Sequence, residues 1–483
     1  MNNITSERNL TLLMDFYELT MAGGYFEKGY TDKTAVFDMF FRKIPDDGGF
    51  AIMAGLEQFC NIIDDLHFSP EDIAYLADKG CFSPEFLDYL LHFSFHCNIW
   101  AVREGTPIFP GEPIVTVEGP AIEAQLIETL LLVTFNHQSL ICTKTSRIVR
   151  AAAGRPVMEF GSRRAQGYDA AVLGARAAYI GGVAGTACVM ADRLFGIPAL
   201  GTMAHSWVQM FPSEYEAFKN YAQLYPSNCT LLVDTYSVTK SGVPNAIRVF
   251  DEVLKPLGIR PSGIRIDSGD IAYLSKKARA LLDAAGYADV PICASNSLDE
   301  YIVRDLLLQG ARLDSFGIGE NMITSKSDPV FGGVYKLAAV KENGQYIPKM
   351  KLSETAEKIT LPHLKKLWRI YDNETGKAMA DYIALWDETV DASAGISLFD
   401  PVQTWKTRTF TNVHAVLLST PIYENGRRVY ALPTLGDIRA ACAEGIDNLW
   451  DEVKRFENPH RYYVDLSQKL WDERQRLLKE LGG

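Results

Sequence analysis

The stretch 263-GIRIDSGD-270 decides the fold class. It opens as an alternation of apolar residues with Arg265 and closes on a polar tip containing Asp267 and Asp270. Ala- and Leu-rich sequence with helical spacing follows it. The same unit recurs along the middle of the chain. PVMEFGS (156–162) runs into Arg163 and Arg164, PALGTMAHS (198–206) contains His205, and LLVDTYS (231–237) contains Asp234. PICASNS (291–297) carries Ser295 and Asn296, LDSFGIGE (313–320) carries Gly317, Gly319 and Glu320, and GGVYKL (332–337) contains Lys336. Strand, polar tip and helix in repetition predict a parallel α/β barrel. Such barrels assemble their active sites at the carboxyl ends of the strands, so tips distant in sequence are expected to converge.

Three textures organise the chain. Residues 1–140 mix helical patterns with extended ones, and G-T-P and G-E-P turn signals interrupt the second extended piece. Residues 141–340 carry the barrel pattern. Residues 341–483 begin with short strands (YIPKMKLSE, KKLWRIYD, ADYIALWD), continue with a strand pair around an E-N-G turn, and close with helices. Asp465 and Gln468 suit a capping arrangement for the last helix, expected over 465–481. No solenoid repeat and no low-complexity segment is apparent.

Composition narrows the function classes. The 483 residues are 47% hydrophobic and 22% charged, ordinary for a soluble enzyme of one large or several smaller domains. The net charge of −12 argues against a nucleic-acid partner. It also requires local arginines for any anionic substrate. MNNITSERNL has no apolar signal segment, and AQLIETLLLVTF is too short and too polar to span a bilayer. The eight cysteines are dispersed and form no CxxC pair, which fits reduced thiols in the cytoplasm.

Four motifs carry chemistry. FGSRRAQG (160–167) places Arg163 and Arg164 after a strand and before a helix, with Gly161 and Gly167 flanking them, an anion-binding arrangement. GTMAHS (201–206) surrounds His205 with Gly201, Thr202, Ala204 and Ser206, leaving room for a group on the imidazole. In GIRIDSGD, Arg265 and Asp267 share strand parity and point to one side. They suit a sugar diol or a metal-bound diphosphate, with an internal salt bridge as the competing reading. FGIGENMITS (316–325) is strand, G-x-G turn and helix, which lets backbone N–H groups approach a phosphate. HFSFHC has metal-like spacing in His92, His96 and Cys97, but its aromatic surroundings predict packing residues.

LLMDFYELTMAGGYF, FGSRRAQG, GTMAHS, GIRIDSGD, SNSLDE and FGIGENMITS, in this order, resemble the nicotinate phosphoribosyltransferase family. KMKLSE, KITLP, LWRIYD and NPHRYYVDLSQKLWDER extend the resemblance over nearly the whole chain. It implies an irregular α/β (TIM-like) barrel with a second α/β domain formed by the N- and C-terminal parts. It implies transfer of phosphoribose from phosphoribosyl pyrophosphate to nicotinate in NAD salvage, releasing pyrophosphate, with coupled ATP hydrolysis and Mg2+. The matching residues are His205 as phosphohistidine, with Arg265 and Asp267, grouped with it as catalytic, at positions that with Arg163 hold phosphate, carboxylate and ribose. Tyr17 and Phe160 would flank the pyridine ring, with Tyr17 supplied by the neighbouring subunit of a homodimer. Arg163, Arg164, Thr202, Ser206 and Asn296 would bind substrate, and Gly317 and Gly319 the 5′-phosphate. The metal ligands stay unassigned. Nicotinamide phosphoribosyltransferase is the nearest rival. The stretch ARAAYIGGVAGTACVMA (175–191) lacks the acid that an amide substrate would need. A non-catalytic phosphosugar-binding protein is the rival of another class, and His205 in its small-residue setting disfavours it.

Overall fold

A computed structural model describes residues 8–353 and 358–482. KMKLSE therefore ends on Glu354, outside the described residues, as does most of the N-terminal stretch on which a signal segment was sought. The chain divides into two compact units, Ile141–Pro329 and a second comprising Met1–Leu140 with Val330–Gly483.

The first unit is a parallel sheet with helical connections. Its strands are β1 (Val157–Glu159), β2 (Gly185–Thr186), β3 (Thr230–Leu232), β4 (Gly263–Ile266), β5 (Ile292–Asn296) and β6 (Ser315–Ile318). Their order across the sheet is β2-β1-β6-β5-β4-β3. Val157, Leu231, Ile264, Ile266, Ile292, Ala294, Phe316 and Ile318 are buried, which is why short β-branched and apolar runs suffice here. A parallel bridge from Thr186 to Ala199 continues the sheet beyond β2. No backbone ladder joins β3 to that outer edge among the described residues. The arrangement is a parallel half-barrel sheet.

GGVYKL does not supply a barrel strand. It leads into Val334–Glu342, which pairs antiparallel with Thr34–Phe40 in the second unit, opposite which Lys336 stands at Asp38. The reason lies just downstream. Asn343 (φ 51°) and Gly344 (φ 78°) make a tight hairpin to Gln345–Pro348. A two-residue hairpin commits the strand to antiparallel pairing.

The second unit is built mainly on antiparallel pairing, with 464–466 joining 378–385 in parallel. Seven strands order as 345–348, 334–342, 34–40, 115–120, 98–101, 420–424 and 427–428. The E-N-G turn closes the last pair, with Glu424 opposite Arg427. A four-stranded sheet joins 413–417, 365–372, 378–385 and 464–466. A helical layer packs Leu19, Ala22, Phe68, Leu76, Phe86 and Leu90 into one apolar cluster. The last helix is Gln468–Gly482, and Ser467, not Asp465, caps it by accepting from the Leu470 amide at 3.1 Å. Asp465 sits in the strand Val464–Leu466 and pairs with Arg408 at 3.2 Å.

Candidate active site at the carboxyl edge of the parallel sheet

Because all six strands are parallel, their carboxyl ends share one edge. β4 shows how the sequence aims its side chains there. Ile264 and Ile266 are buried on one side, and Arg265 points to the other, as strand alternation dictates. Arg265 spreads its fork over three partners. Nε donates to Ser295 Oγ (2.7 Å), Nη1 to Thr202 Oγ1 (3.0 Å) and Nη2 to Asp267 Oδ1 (3.0 Å). The Ser295 hydroxyl also donates to Asp267 Oδ1. Burial pushes the Asp267 carboxyl up, but Ser295 and Arg265 outweigh it and hold the group below its ordinary range. The competing salt-bridge reading thus holds geometrically. The pair is nevertheless not fully buried, with side-chain exposures of 14% for Arg265 and 29% for Asp267.

His205 opens the five-residue helix His205–Gln209. Its Nε2 lies 3.7 Å from Asp267 Oδ2, and its Nδ1 is 3.1 Å from Thr235 Oγ1. The sequence showed no carboxylate partner for this histidine; the fold supplies Asp267. Asp234 braces the same tip from below. Its Oδ2 accepts from the Asp267 amide (3.1 Å) and from Ser268 Oγ (2.5 Å), and its buried Oδ1 has no hydrogen-bond partner among the described residues. These contacts also join the sheet's two edges. Thr202 and His205 follow the outer strand beyond β2, whereas Thr235 follows β3.

Phe160 and the glycines form the adjoining wall. The Arg265 guanidinium lies 5.5 Å from the Phe160 ring centre. A side chain at Gly317 would collide with that ring, and one at Gly319 would sit 2.8 Å from the Phe160 carbonyl oxygen. Both glycines are thus required by close approach. The helix after Gly319 is only Glu320–Ile323, a single turn, so it offers backbone N–H groups with little macrodipole. Beneath Phe160, buried Glu159 accepts from Thr186 Oγ1 (2.6 Å) and from the Gly161 amide. Burial raises its pKa despite these donors.

The remaining expected residues are placed less centrally. Arg163 and Arg164 lie in the short turn Ser162–Arg164 and are exposed. Arg164 Nε is 3.6 Å from Glu320 Oε2, while Arg163 has no ion pair among the described residues. Asn296, at φ 121°, turns its side chain back to the Ser297 amide (2.8 Å). Ser206 is exposed on the helix that His205 opens. Tyr17 belongs to the second unit, on the helix Phe16–Glu27. Burial and the neighbouring Glu128 raise its hydroxyl pKa. Glu18 beside it is pushed up to about 7 by burial. Thr235 was missed in the sequence because no local signal marks a hydroxyl that meets a histidine thirty positions away.

In HFSFHC only Cys97 packs in the core; His92 and His96 are exposed, so the expected packing role does not hold for the two histidines, and an acid sits beside the segment. His96 Nδ1 is 3.0 Å from Glu123 Oε1, and Cys97 Sγ is 3.9 Å from Glu123 Oε2. Among the described residues no group of three metal-ligating side chains forms there or elsewhere. No helix of the described residues is long and apolar enough to cross a membrane.

Three family descriptions match the chain in succession. They are the nicotinate phosphoribosyltransferase N-terminal domain (residues 12–136), the nicotinate phosphoribosyltransferase family (156–360) and its C-terminal domain (364–474). The nicotinate phosphoribosyltransferase of Bacillus subtilis is 42% identical over 98% of this chain and 96% of its own length. The human nicotinate phosphoribosyltransferase is 32% identical, with 95% of each chain covered. A crystal structure of human nicotinic acid phosphoribosyltransferase superposes with a TM-score of 0.84 at 29% identity, covering 98% of this chain and 100% of that one.

Proposed function

The chain belongs to the nicotinate phosphoribosyltransferase family, and from that premise we propose how its site works. The enzyme is a nicotinate phosphoribosyltransferase: nicotinate displaces pyrophosphate from phosphoribosyl pyrophosphate to give nicotinate mononucleotide, a step of NAD salvage. The observation that carries the residue assignments is the Arg265 fork. It gathers Ser295, Thr202 and Asp267 at one tip, beside His205 and over Phe160.

Displacement at the anomeric carbon builds positive charge on the sugar. The enzyme therefore needs positioning and charge placement more than acid–base groups. Asp267, held ionised, faces the developing cation and the ribose hydroxyls. Arg265 grips an anionic oxygen, and exposed Arg163 and Arg164 add charge for phosphate or carboxylate. Phe160 offers a flat face to the pyridine ring. Gly317 and Gly319 open space for the 5′-phosphate. Thr202, Ser206 and Asn296 border the same pocket as polar contacts. The open parallel sheet is the wall of an irregular, TIM-like barrel, and the N- and C-terminal parts form the second α/β domain.

His205 takes the γ-phosphoryl group of ATP. Small neighbours leave room for it, and Asp267 and Thr235 orient the ring. Mg2+ fits the same tip. Asp234 Oδ1 is a buried acceptor without a partner among the described residues and would be one ligand, with Asp267 beside it a second, while oxygens of the diphosphate and water would complete the shell. When bound, Mg2+ neutralises the leaving diphosphate. The dispersed, unpaired thiols favour the cytoplasm.

Phe16, Tyr17 and Met21 are exposed on one helix, which supports a homodimer whose sites borrow Tyr17 from the neighbouring subunit. Pyrophosphate release on adding nicotinate and phosphoribosyl pyrophosphate, with and without ATP, tests the reaction. Nicotinamide serving as well as nicotinate would favour the amide-using rival. Mixing Tyr17→Ala with Arg163→Ala chains tests the shared site, because one of two composite sites carries neither lesion. Verified heterodimers that regain no activity would reject it.

A further inference from the structure

Behind the site, a buried ion cluster links two segments that the proposed reaction needs in register. Lys144 and Arg147 lie on the helix Glu128–Ala151, and Glu300 opens the helix Glu300–Leu308. All three side chains are buried. Lys144 Nζ lies 2.9 Å and 2.8 Å from the two Glu300 oxygens. Arg147 Nε donates to Glu300 Oε1 (2.8 Å), and its Nη2 reaches the Tyr301 hydroxyl (3.0 Å). A buried carboxylate between two cations has a fixed position, because moving it would strip a charge of its partner.

One further contact leads out of this cluster. Lys144 Nζ also donates to Ser327 Oγ at 2.8 Å. Ser327 is exposed and lies in a turn closed by the Asp328 amide on the Ser325 carbonyl (3.0 Å), with Ser325 buried at φ 43°. This turn follows the single-turn helix after Gly319. That helix is tied to the Asn296 tip at one other place, where Asn321 Nδ2 reaches the Ser297 and Leu298 carbonyls at 3.1 Å. Glu300 stands two residues beyond Leu298, so the cluster holds both segments from one buried point.

We propose that Lys144 is a positioning residue for the phosphate end of the sugar. Through Glu300 it fixes the Asn296 tip, and through Ser327 it fixes the segment that follows Gly319 at the end of β6. It touches no substrate. The inference rests on the reading that this loop holds the 5′-phosphate. Its consequence is specific: loosening the loop weakens the grip on the phosphate and leaves the rest of the ligand alone.

Calorimetric binding to the intact enzyme of nicotinate mononucleotide and of its dephosphorylated nucleoside isolates the phosphate contribution as a ratio of Kd values. Ser327→Ala leaves the buried ion pairs in place. It should weaken the nucleotide about two- to tenfold, the range of one lost hydrogen bond, with nucleoside affinity and Tm unchanged. Lys144→Met should narrow the same ratio further and also lower Tm. If the wild-type enzyme favours the nucleotide but Ser327→Ala keeps that ratio, or weakens both ligands equally, the positioning role is overturned. If the wild-type enzyme does not distinguish the two ligands, the phosphate-loop reading fails first, and the role of Lys144 goes with it.

Discussion

Two arginine–aspartate pairs, one in each unit, use the same chemistry to opposite ends. Arg369 and Asp381 are almost fully buried, with side-chain exposures of 1% and 0%. Their contact is bidentate, Nε to Oδ1 at 2.7 Å and Nη2 to Oδ2 at 2.6 Å. Nη2 also donates to the Pro107 carbonyl (2.8 Å), and the Tyr462 hydroxyl donates to Asp381 Oδ1 (3.2 Å). Phe109 and Tyr462 stack 3.9 Å apart beside the guanidinium. Arg265 and Asp267 share one link, and the rest of the Arg265 fork goes to neutral hydroxyls. A closed fork satisfies itself and holds sheets together. An open fork leaned on hydroxyls can exchange a partner for a ligand oxygen at little cost.

The largest test of this contrast is Arg369→Met. It strands Asp381 in the core, and about 3–5 kcal/mol of stability should be lost, visible as a large fall in Tm. A mild loss would mean that the closed pair is no more structural than the open one. Arg265→Ala should do the reverse. Affinity for phosphoribosyl pyrophosphate should fall by one to two decades, about 1.5–3 kcal/mol, with Tm nearly unchanged. A collapsed Tm with normal substrate affinity in the folded remainder would make Arg265 a structural partner and erase the contrast.

His205→Ala sharpens the open side further. The fold should persist and slow turnover without ATP should remain, because the sugar chemistry does not require the imidazole. ATP stimulation should vanish, and its survival would refute the phosphohistidine. The smallest effect concerns pH. Burial raises Glu18 from 4.5 to about 7, so the folded state holds its proton more tightly than the unfolded chain does. Its stabilising contribution is complete below about 4.5 and is lost as pH rises through about 7. Glu18→Gln should flatten that decline, a Tm difference on the order of 1 °C. Parallel Tm–pH curves for the two proteins would remove Glu18 as the source.

How much of this was legible depends on the range of each interaction. Strand parity placed Arg265 and Asp267 on one side, and the contact between their side chains agrees, because alternation is local. Convergence of the tips followed from the strand–helix repeat. His205 was found by its small neighbours, but not its partners, since contacts to Thr235 and Asp267 exist only once the sheet curls. GGVYKL misled because an apolar run carries no mark of parallel or antiparallel pairing; Asn343-Gly344 just beyond it did. Asp465 looked like a cap because the sequence shows the right residue types near a helix start, two positions from the serine that does the work. Lys144 and Glu300 were invisible, since a lysine in a helical pattern reads as a solvated face.

Among the described residues the half-barrel's two edges meet through Thr202, His205, Thr235 and Arg265, and not through a backbone ladder. Side-chain seams open at lower free energy than paired strands. Amides of residues 198–204 and 230–235 should therefore exchange with deuterium before those of β5 and β6. The seam is made largely of residues assigned to the ligands under the proposed function, and on that assignment substrate would act as the missing strand. Each molecule bound should slow exchange along the seam, and occupancy becomes readable as the mechanical closure of the sheet.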